Sequence, residues 1–228
     1  MPHFLSPLDV IALACFLGAW IGYAFMVERT RRGDDGLNAR MNRYRELWMQ
    51  RALGRDMRMV DMQIMASLQN GTAFFASTSL IALGGALALL RSTEEIMTMI
   101  SGLPVGLQTT RELWEAKTVG LVIIFAYAFF KFGWSYRLFN YVVIMLGAMP
   151  FATEKDTPEA ASHVLRTARL FESAGRHFNR GQRAIFFALG YLGWFMGPIA
   201  LILATAAVLV ATWRRQFASD ELRAVMIE

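Results

Sequence analysis

The sequence predicts an all-α fold, a four-helix transmembrane bundle with amphipathic cytoplasmic helices. The 228 residues are 55% hydrophobic and only 18% charged, whereas a soluble domain carries about 25% charged residues. Four apolar runs are each long enough to cross about 30 Å of hydrocarbon, which takes roughly 20 helical residues. Alternation with period two is absent, so the backbone polar groups must be paired within helices rather than in a barrel.

The four apolar runs belong to one predicted integral membrane domain, residues 1–228. The predicted spans cover residues 8–27, 65–90, 118–149 and 184–213. No positive charge precedes the first run, so we expect a retained helix rather than a cleaved signal peptide. Within the fourth span we expect a kink at Pro198.

The connections between the spans are expected to be helical. Apolar residues between positions 34 and 65 recur at helical spacing, and Thr157 followed by Pro158 predicts the start of a second amphipathic helix. We expect that second helix to end near Gly175 or Gly181. The first amphipathic helix is expected either to lie on the bilayer or to pack against the second one.

The distribution of basic residues predicts the orientation. Nine arginines lie between spans one and two, and six basic residues lie between spans three and four. Positively charged connections stay in the cytoplasm. We therefore expect a multi-pass protein of the bacterial inner (plasma) membrane with both termini outside. Arg214 and Arg215, beside the end of span four, favour the opposite side for the tail.

Span three carries three polar side chains, Lys131, Arg137 and Asn140, inside an apolar run. A cation in hydrocarbon costs about 2.5–3.5 kcal/mol on insertion scales. One interpretation is snorkelling to the headgroups. The other is a partner inside the protein, yet Asp9 is the only carboxylate in the four predicted spans. That leaves backbone carbonyls, a lipid phosphate, an anionic ligand or a nearby hydroxyl. The hydroxyls considered are those of Ser77, Thr78 and Ser135.

Polar residues of spans two, three and four are expected to meet at the cytoplasmic boundary. The candidate polar or anion site comprises Asn70, Ser77, Lys131, Ser135, Arg137, Asn140, His177, Asn179, Arg180 and Arg183. In span two, Asn70 and Ser77 share a predicted helical stripe with Phe74 and Ile81. Two interpretations stay open: a basic, amide-rich pocket for an anionic headgroup, or interhelical hydrogen bonds combined with arginines that set the topology.

The sequence indicates no catalytic, metal or cofactor site. Phosphate-binding loops, dinucleotide fingerprints and hydrolase motifs are absent from it. His163 and His177 are 14 residues apart, or about 21 Å on one helix, and His3 lies near the N-terminus. The single cysteine, Cys15, lies in an apolar run. We expect no metal, no cofactor and no enzymatic activity.

Three stretches carry a resemblance to a known family. They are NGTAFFASTSLIALGGALALL at 70–90, KFGWSYRLFNYVVIMLGAMP at 131–150 and HFNRGQRAIFFALGYLGWFMGP at 177–198. They resemble a family of bacterial and plant membrane proteins catalogued as domain of unknown function 599. The resemblance extends from span one through span four. It implies an integral membrane protein with about four spans, and it supplies no activity and no catalytic residues.

The function expected from these features is binding without catalysis. We expect an accessory subunit or a homo-oligomer that binds anionic lipid headgroups or a membrane partner, with no role in nucleic acid binding. The alternative is a small oligomeric channel or transporter for an anion or a neutral solute, with Lys131 lining the path. A membrane enzyme acting on lipid is a third reading.

Overall fold

The computed structural model describes residues 5–30, 35–101 and 110–226, and these are helical, with no strand among them. The helices are α1 Pro7–Arg29, α2 Leu37–Leu53, α3 Met59–Arg91, α4 Thr93–Ser101, α5 Arg111–Gly147, α6 Pro158–Tyr191, α7 Gly193–Met196, α8 Pro198–Phe217 and α9 Asp220–Met226. A single 3₁₀ turn, Ala152–Glu154, joins α5 to α6. The predicted all-α class is therefore confirmed.

Side-chain caps begin three of the long helices, α1, α5 and α6. Ser6 caps α1 by accepting a hydrogen bond from the Asp9 amide, and the Asp9 carboxylate accepts from the Ser6 amide in return. Thr110 caps α5 in the same position. Thr157 caps α6, and Pro158 lies in the first turn of this helix, as the sequence predicts. Proline is tolerated there because the N–H group that it lacks has no partner within the first turn of a helix.

Four segments are long and apolar enough to cross a membrane: Pro7–Arg29, Met59–Arg91, Arg111–Gly147 and Pro198–Met226. Helix α3 begins six residues before the predicted span 65–90, and α5 begins seven residues before the predicted span 118–149. At 1.5 Å per residue the 37 residues of α5 are about 55 Å long. This length is almost twice that of one hydrocarbon crossing, so α5 reaches far beyond one end of the apolar region.

The predicted fourth span, 184–213, is wrong as a single helix. Helix α6 continues from Pro158 to Tyr191 without ending at Gly175 or Gly181, and α8 begins only at Pro198. Between them the chain reverses at Gly197, whose φ of 139° is one that residues with a side chain rarely adopt. Both arms of this hairpin are apolar, and the sequence therefore reads as one run.

Close packing of the two arms holds the hairpin together. A Cβ atom on Gly193 would lie 2.7 Å from the carbonyl oxygen of Ala200 and 3.0 Å from the Cβ of Ala204. Further along, Gly190 faces Ala204 and Val208. Residues without side chains let two helices approach to backbone contact, and this approach turns the expected kink at Pro198 into a reversal.

The hairpin also corrects the expectation that both termini lie on one side. Near the start of α1, Asp9 contacts Trp194, which lies beside the turn. Near its end, Tyr23 donates to the Thr212 carbonyl close to the end of α8. Helices α1 and α8 therefore run parallel. The N-terminal end of α1 and the C-terminal end of α8 lie at opposite ends of the bundle, because α1, α3, α5, α6 and α8 each run along it in the described part of the chain.

Helices α5 and α6 form the central antiparallel pair. Gly120 of α5 lies beside Tyr191 near one end of the pair, and Phe139 contacts Phe171 near the other. This pair connects two hydrophobic cores. The bundle core is formed by Ala12, Phe16, Tyr23, Ala86, Leu113, Leu121, Ile124, Ala128, Phe132, Ala184, Phe187, Ala188, Tyr191, Trp194 and Leu201. The basal core is formed by Met49, Ala52, Leu53, Met65, Leu138, Phe139, Val142, Leu146, Met149, Ala160, Val164, Ala168, Phe171 and Ala174.

Helix α2 packs on the first half of α6. Of the two placements expected for it, on the bilayer or against the second amphipathic helix, the structure has the second. Trp48 and Phe171 meet edge to face at 5.3 Å. The fully buried carboxylate of Asp61 accepts hydrogen bonds from the Trp48 indole at 2.6 Å and from Arg55 at 2.5 Å. This carboxylate joins the end of α2 to the start of α3.

We expect the C-terminal tail and α2 to face the same compartment. In a Cys15→Ser background, cysteines placed at Arg43 and at Arg223 should react with an impermeant maleimide from one side only. A cysteine at Glu95, at the other end of the bundle, should react from the opposite side. Labelling of positions 95 and 223 from the same side would contradict the hairpin.

We also expect Gly193→Ala to destabilise the protein, because the added methyl group would press on the Ala200 backbone. Overpacking of this kind costs about 1–3 kcal/mol, which should appear as a lower midpoint of thermal unfolding in detergent. The matched control is Gly85→Ala in α3, where nothing lies within 4 Å of the added Cβ. Equal midpoints for the two variants would show that the close approach contributes nothing.

Candidate functional site

A carboxylate shared by two arginines forms the centre of the candidate site. Glu28, near the C-terminal end of α1, pairs with Arg180 and Arg183 of α6 through both of its oxygens. The Arg183 side chain is only 10% exposed, and that of Glu28 is 20% exposed. Bidentate pairing of this kind fixes the geometry of the charges. We call this region of the bundle the basic end.

Lys131 lies beside this cluster without a carboxylate of its own. Its ammonium group lies 5.0 Å from the ring centre of Tyr127, one helical turn earlier on α5. It interacts electrostatically with both Arg180 and Glu28. No hydrogen bond or ion pair joins Lys131 to the residues that the structure describes. One carboxylate thus faces three cations, and the cluster keeps a surplus of positive charge.

His177 completes the cluster on the α6 side but adds no charge. Burial lowers its pKa, and the positive charges of Lys131 and Arg180 lower it further. The imidazole is therefore neutral at pH 7. Its Nδ1 atom is buried without a hydrogen-bond partner among the described residues, and its ring lies 6.4 Å from that of Trp134.

Three predicted residues of α5 have other roles. The buried Ser135 donates to the Ala174 carbonyl at 2.8 Å and so joins α5 to α6. Asn140 accepts from Gln69 of α3 at 2.6 Å. Arg137 is exposed and donates to the Tyr141 hydroxyl at 2.7 Å. For Ser135 and Asn140 the structure agrees with the reading as interhelical hydrogen bonds.

The predicted stripe on α3 faces away from the interior of the bundle, so its expected place in the site is wrong. Asn70 and Ser77 are exposed, together with Phe74 at 65% and Ile81 at 76%. The face that packs inward is a different one, and its buried residues recur every seven positions: Met65, Thr72, Ser79 and Ala86. Two hydroxyl side chains on this face, Thr72 and Ser79, donate hydrogen bonds to carbonyl groups of their own helix. Polar residues can therefore occupy the packed side. Asn70 and Ser77 therefore do not join the site.

Two clefts flank the salt bridges of Glu28. The α2 cleft, of about 150 Å³, is lined by Val27, Glu28, Asn38, Ala39, Asn42, Glu172, Arg176, Asn179 and Arg183. The tail cleft, of about 100 Å³, is lined by Tyr23, Leu37, Asn38, Asn179, Gln182, Arg183, Phe186, Thr212, Arg215 and Gln216. Arg183 lines both clefts. Asn179, which the sequence predicts, also lines both.

Sequence reasoning missed several residues of the basic end. Glu28 lies one position beyond the predicted first span, and it was therefore not counted among the partners of the span-three cations. Tyr23, Asn38 and Gln216 carried no recognisable signal. Arg215 did carry a signal. A basic residue beside the end of an apolar helix favours the cytoplasmic side, whereas the tail was expected outside. The hairpin at Gly197 explains this disagreement.

A second charged cluster lies at the opposite end of the bundle. Asp9 accepts from the indole of Trp194 at 2.7 Å, and the ammonium group of Lys117 lies 5.5 Å from the ring centre of the same tryptophan. Asp9 and Lys117 are both 4% exposed. Lys117 lies one position before the predicted third span, 118–149, and in the structure it lies on α5 inside the bundle.

The chemistry that the basic end offers is binding of negative charge. Its groups are guanidinium, ammonium and amide donors around the carboxylate of Glu28. The described residues contain no group of three or more His, Cys, Asp or Glu side chains that could hold a metal ion. His163 is bonded to the Met145 carbonyl at 2.8 Å, far along α6 from His177, and His3 lies outside the described residues.

Comparison with known proteins gives one match. The family model described as "Protein of unknown function, DUF599" matches residues 11–221. This match confirms the resemblance drawn from the three sequence stretches. No curated protein and no solved structure matches the chain.

We expect Glu28→Gln to destabilise the basic end, because two arginines would lose their shared negative charge. Hydrogen bonds to charged groups contribute about 1.5–3 kcal/mol each, and partial exposure reduces this. We therefore expect a total loss of about 2 kcal/mol, measured as a lower thermal midpoint in detergent. Glu46→Gln is the control, since that exposed carboxylate accepts only a 3.4 Å hydrogen bond from Gln50. An unchanged midpoint for Glu28→Gln would contradict the pairing.

Proposed function

Since this chain belongs to the DUF599 family of proteins of unknown function, we propose its role from its own site: a non-enzymatic membrane protein that binds anionic lipid or a membrane partner at its basic end. The four apolar segments support a membrane location. We place the basic end at the cytoplasmic face of a bacterial inner membrane, because positively charged segments remain there.

One observation carries this proposal: the basic cluster is undercompensated. Glu28 already accepts from Arg180 and Arg183, and Lys131 makes no direct ion pair with a carboxylate of the described chain. The hydroxyls considered as partners do not serve it, because Ser135 is bonded to Ala174 and Ser77 is exposed on α3. An unpaired cation near hydrocarbon costs free energy, and an anionic headgroup or an acidic partner removes that cost.

Depth supports a membrane-surface ligand. Lys131 is 20 residues from the start of α5, which is about 30 Å along the helix and close to one hydrocarbon thickness. The basal core and α2 continue beyond this level. The cluster therefore lies where the apolar bundle meets a water-facing helical layer, which is the level of lipid phosphates in the cytoplasmic leaflet.

Native mass spectrometry in mild detergent tests the proposal. The wild-type protein should retain anionic lipid, a protein partner or a second copy of itself. Lys131→Met should lower retention of anionic lipid about fivefold, since one basic group at an anionic surface contributes about 1 kcal/mol. Arg137→Met is the matched control, because Arg137 is exposed on the same helix and does not touch Glu28.

Two results would refute the proposal. The first is a wild-type protein that retains neither lipid nor partner and does not self-associate. The second is an equal effect of the Lys131 and Arg137 variants, which would show that general surface charge, and not the cluster, attracts the lipid.

A further inference from the structure

The tail cleft has an unusual chemical lining. It lies between the C-terminal ends of α1 and α8, the start of α2 and the middle of α6. Its polar lining residues are Tyr23, Asn38, Asn179, Gln182, Arg183, Thr212, Arg215 and Gln216. Two of these carry positive charge and none carries a carboxylate. The volume of about 100 Å³ equals that of roughly three water molecules, which is enough for one phosphate group.

Most of the donors around this cleft are unused. The side chains of Asn38, Asn179 and Gln182 make no hydrogen bond with any residue that the structure describes. The side-chain nitrogen of Gln216 is buried without a partner among those residues, and the residue is only 6% exposed. A buried donor without an acceptor is costly, so the lining favours an occupant that accepts several hydrogen bonds.

The two arginines determine the charge of that occupant. Arg183 donates to Glu28 through one terminal nitrogen, and its other nitrogens have no partner among the described residues. Arg215 lies 5.7 Å from the ring centre of Phe186 and makes no ion pair within the described chain. The planar guanidinium fork matches the oxygens of phosphate in two-point contacts.

We propose that the tail cleft is an oxyanion site that takes a phosphate group, supplied by an anionic lipid headgroup or by a free phosphate compound. A phosphate offers acceptor oxygens on all sides, which suits donors that converge from four helices. This inference rests on the proposed function, because it names the ligand class of the basic end. It places the phosphate between Arg183 and Arg215, on the α8 side of Glu28.

Calorimetric titration of the delipidated full-length protein tests the site. Inorganic phosphate in an uncharged detergent, at constant ionic strength set with chloride, should bind to the wild-type protein. Arg215→Gln should raise the dissociation constant about tenfold, the effect of losing one charge-assisted contact. Arg214→Gln should stay within about twofold, because this neighbouring exposed arginine does not line the cleft.

A second arm distinguishes the two sources of phosphate. The wild-type protein, Arg215→Gln and Arg214→Gln are each placed in nanodiscs of phosphatidylglycerol or of phosphatidylcholine. Native mass spectrometry then measures how much of each lipid stays bound. Retention of phosphatidylglycerol that is lost in Arg215→Gln, without binding of inorganic phosphate, supports the site with lipid as its source. Binding of inorganic phosphate that depends on Arg215 supports it with a free phosphate compound.

The proposal is overturned if the wild-type protein binds neither probe, or if the Arg214 and Arg215 variants weaken binding equally. The phosphate-site proposal alone is refuted if lipid retention depends on Lys131 while Arg215→Gln behaves as wild type in both the titration and the nanodisc experiment. The broader proposed function alone is refuted if phosphate binding depends on Arg215 but the protein retains no lipid, no partner and no second copy of itself.

Discussion

The two carboxylates of α1 constrain the whole bundle. Asp9 binds the Trp194 indole at one end of the helix, and Glu28 binds Arg180 and Arg183 at the other. They are 19 residues apart, or about 28 Å along a helix, which is close to the thickness of the hydrocarbon layer. In a bilayer that α1 crosses, each would lie near a boundary, where a charge is less costly than at mid-depth. Between them Phe16 and Trp20 of α1 pack on Phe187 of α6, and the two polar contacts fix the ends of α1 against the start of the hairpin and the middle of α6.

The α5–α6 pair makes the basic end a junction between two environments. Above it lies the bundle core, and below it lies the basal core with α2 packed on α6. Both long helices pass through the junction without a break, so a group bound at Lys131 or Arg183 would contact elements of both cores. The two long helices hold Lys131 and Arg183 in place, whereas the start of α2 and the end of α8 add the amides of Asn38 and Gln216 to the tail cleft. The site thus combines a fixed charge pattern with an adaptable lining.

Local signals in the sequence predicted much of the fold, and tertiary contacts decided the rest. Hydropathy and caps correctly indicated α1, α3, α5 and the start of α6, because length and capping act within a few residues. The reversal at Gly197 was not predictable from hydropathy, since both arms are apolar. The stripe through Asn70 and Ser77 was assigned to the wrong side of α3, because a helix in lipid can be apolar all round and its packed face follows small and hydroxyl residues instead. Of the predicted site, Lys131, His177, Asn179, Arg180 and Arg183 converge, whereas Glu28 and Arg215 entered only through the three-dimensional arrangement.

The turn at Gly197 has a consequence for how the chain is inserted during synthesis. The apolar run from 184 to 213 leaves the ribosome as one continuous hydrophobic stretch, and nothing in its hydropathy marks where it must fold back. A single backbone dihedral, φ of 139° at Gly197, separates a hairpin from one long straight helix. In the straight form Arg214 and Arg215 would be carried to the far side of the bilayer, away from Glu28 and the tail cleft. The turn at Gly197 thus keeps Arg214 and Arg215 at the same end of the bundle as Glu28, and the last span takes its direction from this turn.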